Sequence, residues 1–280
     1  MSAIDDSLHT TKKLNSIFDH IYVIHLPQSK ERERHIEMQF EKILGLQKEE
    51  YEIFEGSSRT SQKVKELMMS PIVKKFPPCF RCGKNNCQCE NNIFTYSQIG
   101  NWYSFRSVWE NMIKNEYNFC MICEDDVKFH SNFVSLVTTF LSEESFQTHN
   151  LNKHNPVLIL LNTTTPKQCV PHYKCAPNMS SSEGSMSNAC YALNLPMARL
   201  LLKESSKKNG IKHTSDVFTH SKIPQHFPEV QKRIILPVPS TQLSIEGQMT
   251  SYVRPKGFIR KVKFVNGKSN MFYINQLDKK

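Results

Sequence analysis

Two runs in this chain are apolar at every position, "FCMIC" at Phe119–Cys123 and "VLILL" at Val157–Leu161. A strand with one wet face alternates apolar and polar residues, so a short strand without alternation is covered on both sides. Helical stripes separate such runs. "HIYVIHL" at His20–Leu26 reads as a strand, and Glu31–Leu44 follows with Ile36, Phe40, Ile43 and Leu44 at helical spacing. A strand at Tyr51–Phe54 is stopped by Gly56. From Ser97 to Lys114 the residues Ile99, Trp102, Phe105, Trp109, Met112 and Ile113 share one helical face. Ser131 is placed to cap a helix bearing Phe133, Val137 and Phe140, and "NACYALN" leads into a helix starting near Pro196. "RIILPVP" is a further strand, and "FVNGKS" carries a hairpin signal. Lys63–Asn92, broken by prolines, cysteines and polar residues, reads as an insertion or long loop. Strands alternating with helices predict an α/β fold, a mainly parallel central sheet flanked by helices on both faces.

The 280 residues, 39% of them hydrophobic, suffice for one large core. No apolar run approaches the ~20 residues of a spanning helix. The opening "MSAIDDSLHTTKK" lacks the hydrophobic segment of a secretory signal, so the expectation is a soluble, cytoplasmic protein. In a reducing compartment the nine cysteines are read as free thiols or metal ligands. A formal charge of +10 favours anionic partners and permits peripheral contact with a membrane surface.

Directly after "FCMIC" come Glu124, Asp125 and Asp126. Acids at this position often only begin a solvated loop. Here they crowd at the end of a wholly apolar strand, where mutual repulsion and loss of water are costly without a positive partner. Strand alternation puts Glu124 and Asp126 on one face and Asp125 on the other. Two carboxylates on one face suit a hard divalent cation, manganese or magnesium, which keeps its remaining positions for water or phosphate oxygens. In parallel sheets the ligand crevice lies at this carboxyl edge.

Several blocks, in order, resemble glycosyltransferase family 25, the lipopolysaccharide-type and procollagen-type galactosyltransferases. "IYVIHLPQSKERERHI" is similar to the opening V-I-N-L-D-R-x-x-D-R block, with Arg32 on the later arginine. "YEIFEG" resembles A-V-D-G, and "YSQIGNWYSFRSVWENMIKNEYNFCMICEDDV" resembles E-I-G-C-x-x-S-H-x-x-x-W followed by I-L-E-D-D. "ACYALNLPMARLLL" and "HTSDVF" resemble two later elements, the second being P-V-D-x-F. His25, Pro27 and Gln28 replace the family's asparagine, aspartate and arginine, and Gln98, Asn101 and Phe105 replace its glutamate, cysteine and histidine.

The resemblance implies a single Rossmann-like domain of the GT-A type over residues 20–240. Residues 1–19 form a lead-in, a Cys-rich insertion lies around 70–92, and 241–280 are a basic extension. It implies metal-dependent, inverting transfer of galactose, glucose or xylose from a UDP-sugar to a glycan or other hydroxyl acceptor. Asp126 and then Glu124 are the metal ligands so implied, Asp125 is either a further ligand or a contact to the donor's ribose, and His25, Leu26, Arg32 and Ser104 contact the donor. Asp216 of "HTSDVF" aligns with a late family aspartate and becomes the general base, with Glu183 of a serine-rich loop as substitute. His213 and His220 flank Asp216 and are candidates for the metal shell or phosphate contacts. Arg32 alone would read as one charge on a solvated helix start, and Asp216 as an ordinary loop acid.

Cys79, Cys82, Cys87 and Cys89 in "CFRCGKNNCQC" are close enough to hold a structural zinc ion or form a disulfide staple, the other reading being accidental thiols. With Lys74, Lys75, Arg81 and Lys84 nearby they give the rival reading, a zinc-knuckle nucleic-acid-binding protein. No second knuckle or aromatic platform accompanies them, so nucleic acid is not the expected partner. A metal-dependent hydrolase is the third reading and needs more carboxylates than this cluster offers.

Overall fold

The uniformly apolar runs become the interior of one sheet. A computed structural model of the chain describes residues 14–79, 93–142, 154–162, 175–176, 187–235, 238–246, 249, 258–265 and 268–275. The strands are β1 (His20–His25), β2 (Glu52–Glu55), β3 (Phe119–Glu124), β4 (Val127–Phe129), β5 (Val157–Leu160), β6 (Cys175–Ala176), β7 (Cys190–Asn194), β8 (Gln231–Ile235) and β9 (Ser240–Gln242). The central sheet has the order β2-β1-β3-β7-β5-β8-β6. β1 runs parallel to β2 and β3, and β5 parallel to β8. β7 lies between β3 and β5 and is antiparallel to both, and β6 is antiparallel to β8. The α/β sheet is therefore as expected apart from these two reversed strands.

Strand period two sorts the apolar residues between two cores. Tyr22, Ile24, Cys120, Ile122, Leu158, Leu160, Tyr191 and Leu193 face one side. There they meet α2 (Gln62–Met69), α3 (Tyr96–Lys114) and α5 (Leu195–Ser205) through Val64, Trp102, Trp109 and Leu201. Ile21, Val23, Met121, Cys123, Val157, Ile159 and Ala192 face the other, against α1 (Lys30–Glu37) and α4 (Phe133–Ser142) through Ile36, Phe133 and Val137. Each side chain the size of Ile122, fully buried, contributes ~1.5–3 kcal/mol.

Local chemistry fixes the element ends. Thr95 and Gln98 close a capping box on α3, with Thr95 Oγ1 accepting from the Gln98 amide at 3.2 Å and Gln98 Oε1 from the Thr95 amide at 2.9 Å. Asn194 Oδ1 accepts from the amides of Met197 at 3.1 Å and Val157 at 2.9 Å, so one residue caps α5 and secures β5. The expected first helix is α-helical only to Glu37 and widens into a π turn over Met38–Ile43. The stretch read as a loop contains α2, capped by the Ser61 hydroxyl. Val64, Leu67 and Met68 carry its apolar stripe, which polar neighbours obscure in the sequence.

Residues Phe258–Val265 (β10) and Lys268–Asn275 (β11) pair antiparallel with Val265 opposite Lys268, as the Asn-Gly signal predicted. No described helix is long and apolar enough to cross a membrane.

Candidate active site

Because β1, β2 and β3 are parallel, their carboxyl ends meet at one edge. His25 ends β1 and Glu124 ends β3. The Gly56 amide, just beyond β2, donates to the His25 carbonyl at 2.7 Å. α3 approaches this edge closely. A Cβ on Gly100 would stand 2.6 Å from the Ser57 carbonyl oxygen, and the Ser57 amide donates to Ser104 Oγ at 2.8 Å. Gly100→Ala is therefore expected to cost ~1–3 kcal/mol as backbone moves apart, read as a fall in the thermal midpoint. An unchanged midpoint would show that the two segments separate freely.

The carboxylates are divided between two sets of partners. β3 stops at Glu124, and Asp125 and Asp126 form the turn into β4, so loop geometry and not strand alternation separates them. Asp125 is buried, and its Oδ2 accepts from His25 Nδ1 at 2.8 Å. Its Oδ1 takes the Arg32 guanidinium, and Arg32 Nη2 lies 4.0 Å from Asp126 Oδ2. Arg32 is thus a buried cation of the acidic cluster and not a solvated charge at the start of α1.

Glu124 and Asp126 share a different partner. Gln242 Nε2 lies 2.8 Å from Glu124 Oε2 and 3.3 and 3.4 Å from the two carboxylate oxygens of Asp126. Gln242 reaches them because β9 pairs with β4 and the Leu243 amide donates to the Asp126 carbonyl at 3.0 Å. Asn101 Nδ2 donates to Glu124 Oε1 at 3.1 Å. Burial, then the charges of Asp126 and Asp125, push the Glu124 carboxyl up to about 8 against the opposing pull of Asn101 and Arg32.

The remaining expected residues are placed as follows. Leu26 accepts the Ser29 amide at 2.8 Å in the turn leading to α1. Ser104 is buried, donating to the Gly100 carbonyl at 2.9 Å while accepting from Ser57, which spends its hydroxyl on holding α3 to the loop after β2. Asp216 lies half-buried in a helical turn, Ser215–Val217, with its Oδ1 accepting the Val217 amide at 2.9 Å. Its neighbour Ser215 bonds Asn101 and so joins that turn to the Glu124 side of the site. Burial, then nearby cations led by Lys222, lowers His213 to about 4, and Trp102 Nε1 donates to its carbonyl at 2.9 Å. His220 is fully buried and belongs to the network behind Asn101. Cys79 is buried, and Cys82, Cys87, Cys89 and Glu183 lie outside the described residues.

Gln242, Asn101, Ser215 and Asn188 were not among the expected site residues. Asn101 had one signal, standing where the related pattern carries cysteine. Gln242 had none, because its place depends on pairing between strands more than a hundred residues apart in sequence.

An acidic edge at the carboxyl ends of parallel strands, in a sheet covered on both faces, is the architecture of an α/β enzyme that binds its ligand at that edge. Residues 18–219 match the model of the family described as "Glycosyltransferase family 25 (LPS biosynthesis protein)". The chain belongs to glycosyltransferase family 25. It is 28% identical over 126 residues to a "Glycosyltransferase 25 family member" from Drosophila pseudoobscura pseudoobscura, a match covering 45% of this chain. The chain spans 18% of that relative's length.

Proposed function

We propose that this chain transfers galactose, glucose or xylose from a UDP-sugar to a glycan or other hydroxyl acceptor with inversion, using manganese or magnesium. The observation that carries the reading is the convergence of Glu124 and Asp126 on one point. Gln242 Nε2, at 2.8 to 3.4 Å from three of their oxygens, marks a position where an oxygen-rich pair of acids meets a single donor. That donor set fits a hard cation. Among the described residues no three His, Cys, Asp or Glu side chains gather into a fuller shell. The fit is therefore to an ion that takes two protein carboxylates and completes its sphere with water and diphosphate oxygens.

Bound there, the ion would neutralise the diphosphate as negative charge grows on the leaving group. The protein's own groups do the rest. Asp125, fixed by His25 and Arg32, holds the end of β1 against the end of β3, where His25, Leu26 and Arg32 line the donor side. Asp216 takes the proton of the acceptor hydroxyl from the turn that Ser215 ties to Asn101. Gln242, which holds the position between the two carboxylates, would give it up to a bound cation.

Proton and metal compete for Glu124. With its carboxyl pushed up to about 8, manganese affinity should rise about tenfold per pH unit from pH ~6 to ~8 and level off above. Calorimetry in buffers of different ionisation enthalpy reads the proton released, and a pH-independent affinity would contradict it. The sign for stability is the reverse. Between the ordinary value of 4.5 and about 8, Glu124 is protonated in the fold and ionised in the unfolded chain. The metal-free protein therefore loses stability as pH rises through that window.

A thermal-shift panel tests the reading against its rival. Stabilisation by UDP with manganese is the expected result. Stabilisation by oligonucleotides alone would favour the nucleic-acid reading and overturn this one.

A further inference from the structure

Behind Glu124 lies a file of polar side chains drawn from three separate segments, α3, the stretch before β7 and the helical run that starts at Ser215. His220 Nε2 and Asn188 Oδ1 are 2.9 Å apart, and Asn188 Nδ2 donates to Ser215 Oγ at 2.9 Å. The Ser215 hydroxyl donates to Asn101 Oδ1, and Asn101 Nδ2 donates to Glu124 Oε1 at 3.1 Å. Asn188, Ser215 and His220 are buried, His220 completely.

The directions are fixed by elimination. Asn101 turns its amide nitrogen to Glu124 Oε1, which accepts, and its carbonyl to Ser215. Ser215 then donates onward and accepts from Asn188, whose carbonyl can only accept from the ring of His220. His220 is therefore the Nε2–H tautomer. Burial, with the Lys232 ammonium nearby, drives its basicity well down and keeps it neutral. Its ring stands edge-on to Tyr191, centroids 5.2 Å apart, and Lys232 Nζ donates to its carbonyl at 2.6 Å. The other ring nitrogen, Nδ1, has no hydrogen-bond partner among the described residues. A buried histidine with one nitrogen unpartnered, its other N–H spent on this file, is an expense that core packing alone does not require.

We propose that His220, Asn188, Ser215 and Asn101 are positioning residues acting in series, every donor aimed at Glu124. The relay holds one Glu124 oxygen in place and leaves the other to turn toward Asp126. Aligned donors polarise one another, so the last bond to the carboxylate is stronger than an isolated amide contact. Ser215 immediately precedes Asp216, so the same file sets the turn carrying the proposed base in register with the acidic edge. The inference rests on reading Glu124 as a ligand of the donor site.

The test has two arms. In protein isotopically labelled in its histidine rings, the Nε2–H signal of His220 is identified by its loss in His220→Gln. It should shift in Glu124→Gln, although four hydrogen bonds separate the two residues. Asp126→Asn changes the acidic edge but removes no member of the file, and should shift the signal less than Glu124→Gln does. In the kinetic arm, His220→Leu is expected to lower kcat about tenfold at unchanged donor KM, whereas His220→Gln, which keeps an N–H donor, stays within about threefold of wild type. A His220 signal blind to Glu124→Gln, or equal rates for the leucine and glutamine variants, would overturn the proposal. If the wild-type protein turns over no donor, the transferase reading fails by itself and the spectroscopic arm still decides the relay.

Discussion

Asp126→Ala is expected to abolish metal-dependent sugar transfer, with kcat falling about 10³-fold, while the protein stays folded. The two parts of that expectation have separate grounds. The Asp126 side chain meets the Gln242 amide, and the bond that ties β9 to the turn runs through the Asp126 backbone carbonyl, which alanine keeps. Removing the carboxylate also relieves repulsion on Glu124, since Asp126 is the foremost charge raising it. The thermal midpoint should therefore hold or rise while activity disappears. Full activity in Asp126→Ala would refute the assignment of the metal ligands, and loss of activity in step with loss of fold would reduce Asp126 to a structural role.

Arg32→Ala should have the largest effect on stability. Arg32 and Asp125 are both buried, and the guanidinium is bound to Asp125 with Asp126 4.0 Å away. Removing one partner of such a pair leaves an uncompensated buried charge and costs ~3–5 kcal/mol. For a chain of this size that is a fall of ~6–20 °C in the thermal midpoint. Asp125→Asn in the Arg32→Ala background removes the orphaned charge and should recover part of the loss. If Arg32→Ala alone is neutral, the guanidinium is not the counter-ion of this cluster.

Much of the fold was legible because burial imposes its own spelling. Val157–Leu161 and Phe119–Cys123 have no polar face to offer water, and both became interior strands. Periodicity does not encode strand direction, so β7 read the same way whether it ran with its neighbours or, as found, against them. α2 was hidden for a related reason: eight residues with Val64, Leu67 and Met68 as their apolar stripe are too few to stand out among lysines and prolines.

The site divides along the same line. Glu124, Asp125 and Asp126 were visible as a local anomaly, an acidic run ending an apolar strand. Their partners are long-range: Arg32 comes from α1, Asn101 from α3 and Gln242 from β9. The sequence posed the need for positive charge and suggested an ion. Arg32 answers it at Asp125, where His25 is a second hydrogen-bond partner, and Glu124 and Asp126 are left as the pair proposed for the ion.

The central claim is tested most directly by donor hydrolysis across a panel of nucleotide sugars, each with and without manganese. Release of sugar from a UDP-linked donor, dependent on manganese and lost on chelation, is the predicted result. Hydrolysis unaffected by chelation, or no turnover of any nucleotide sugar at any metal concentration, would contradict it.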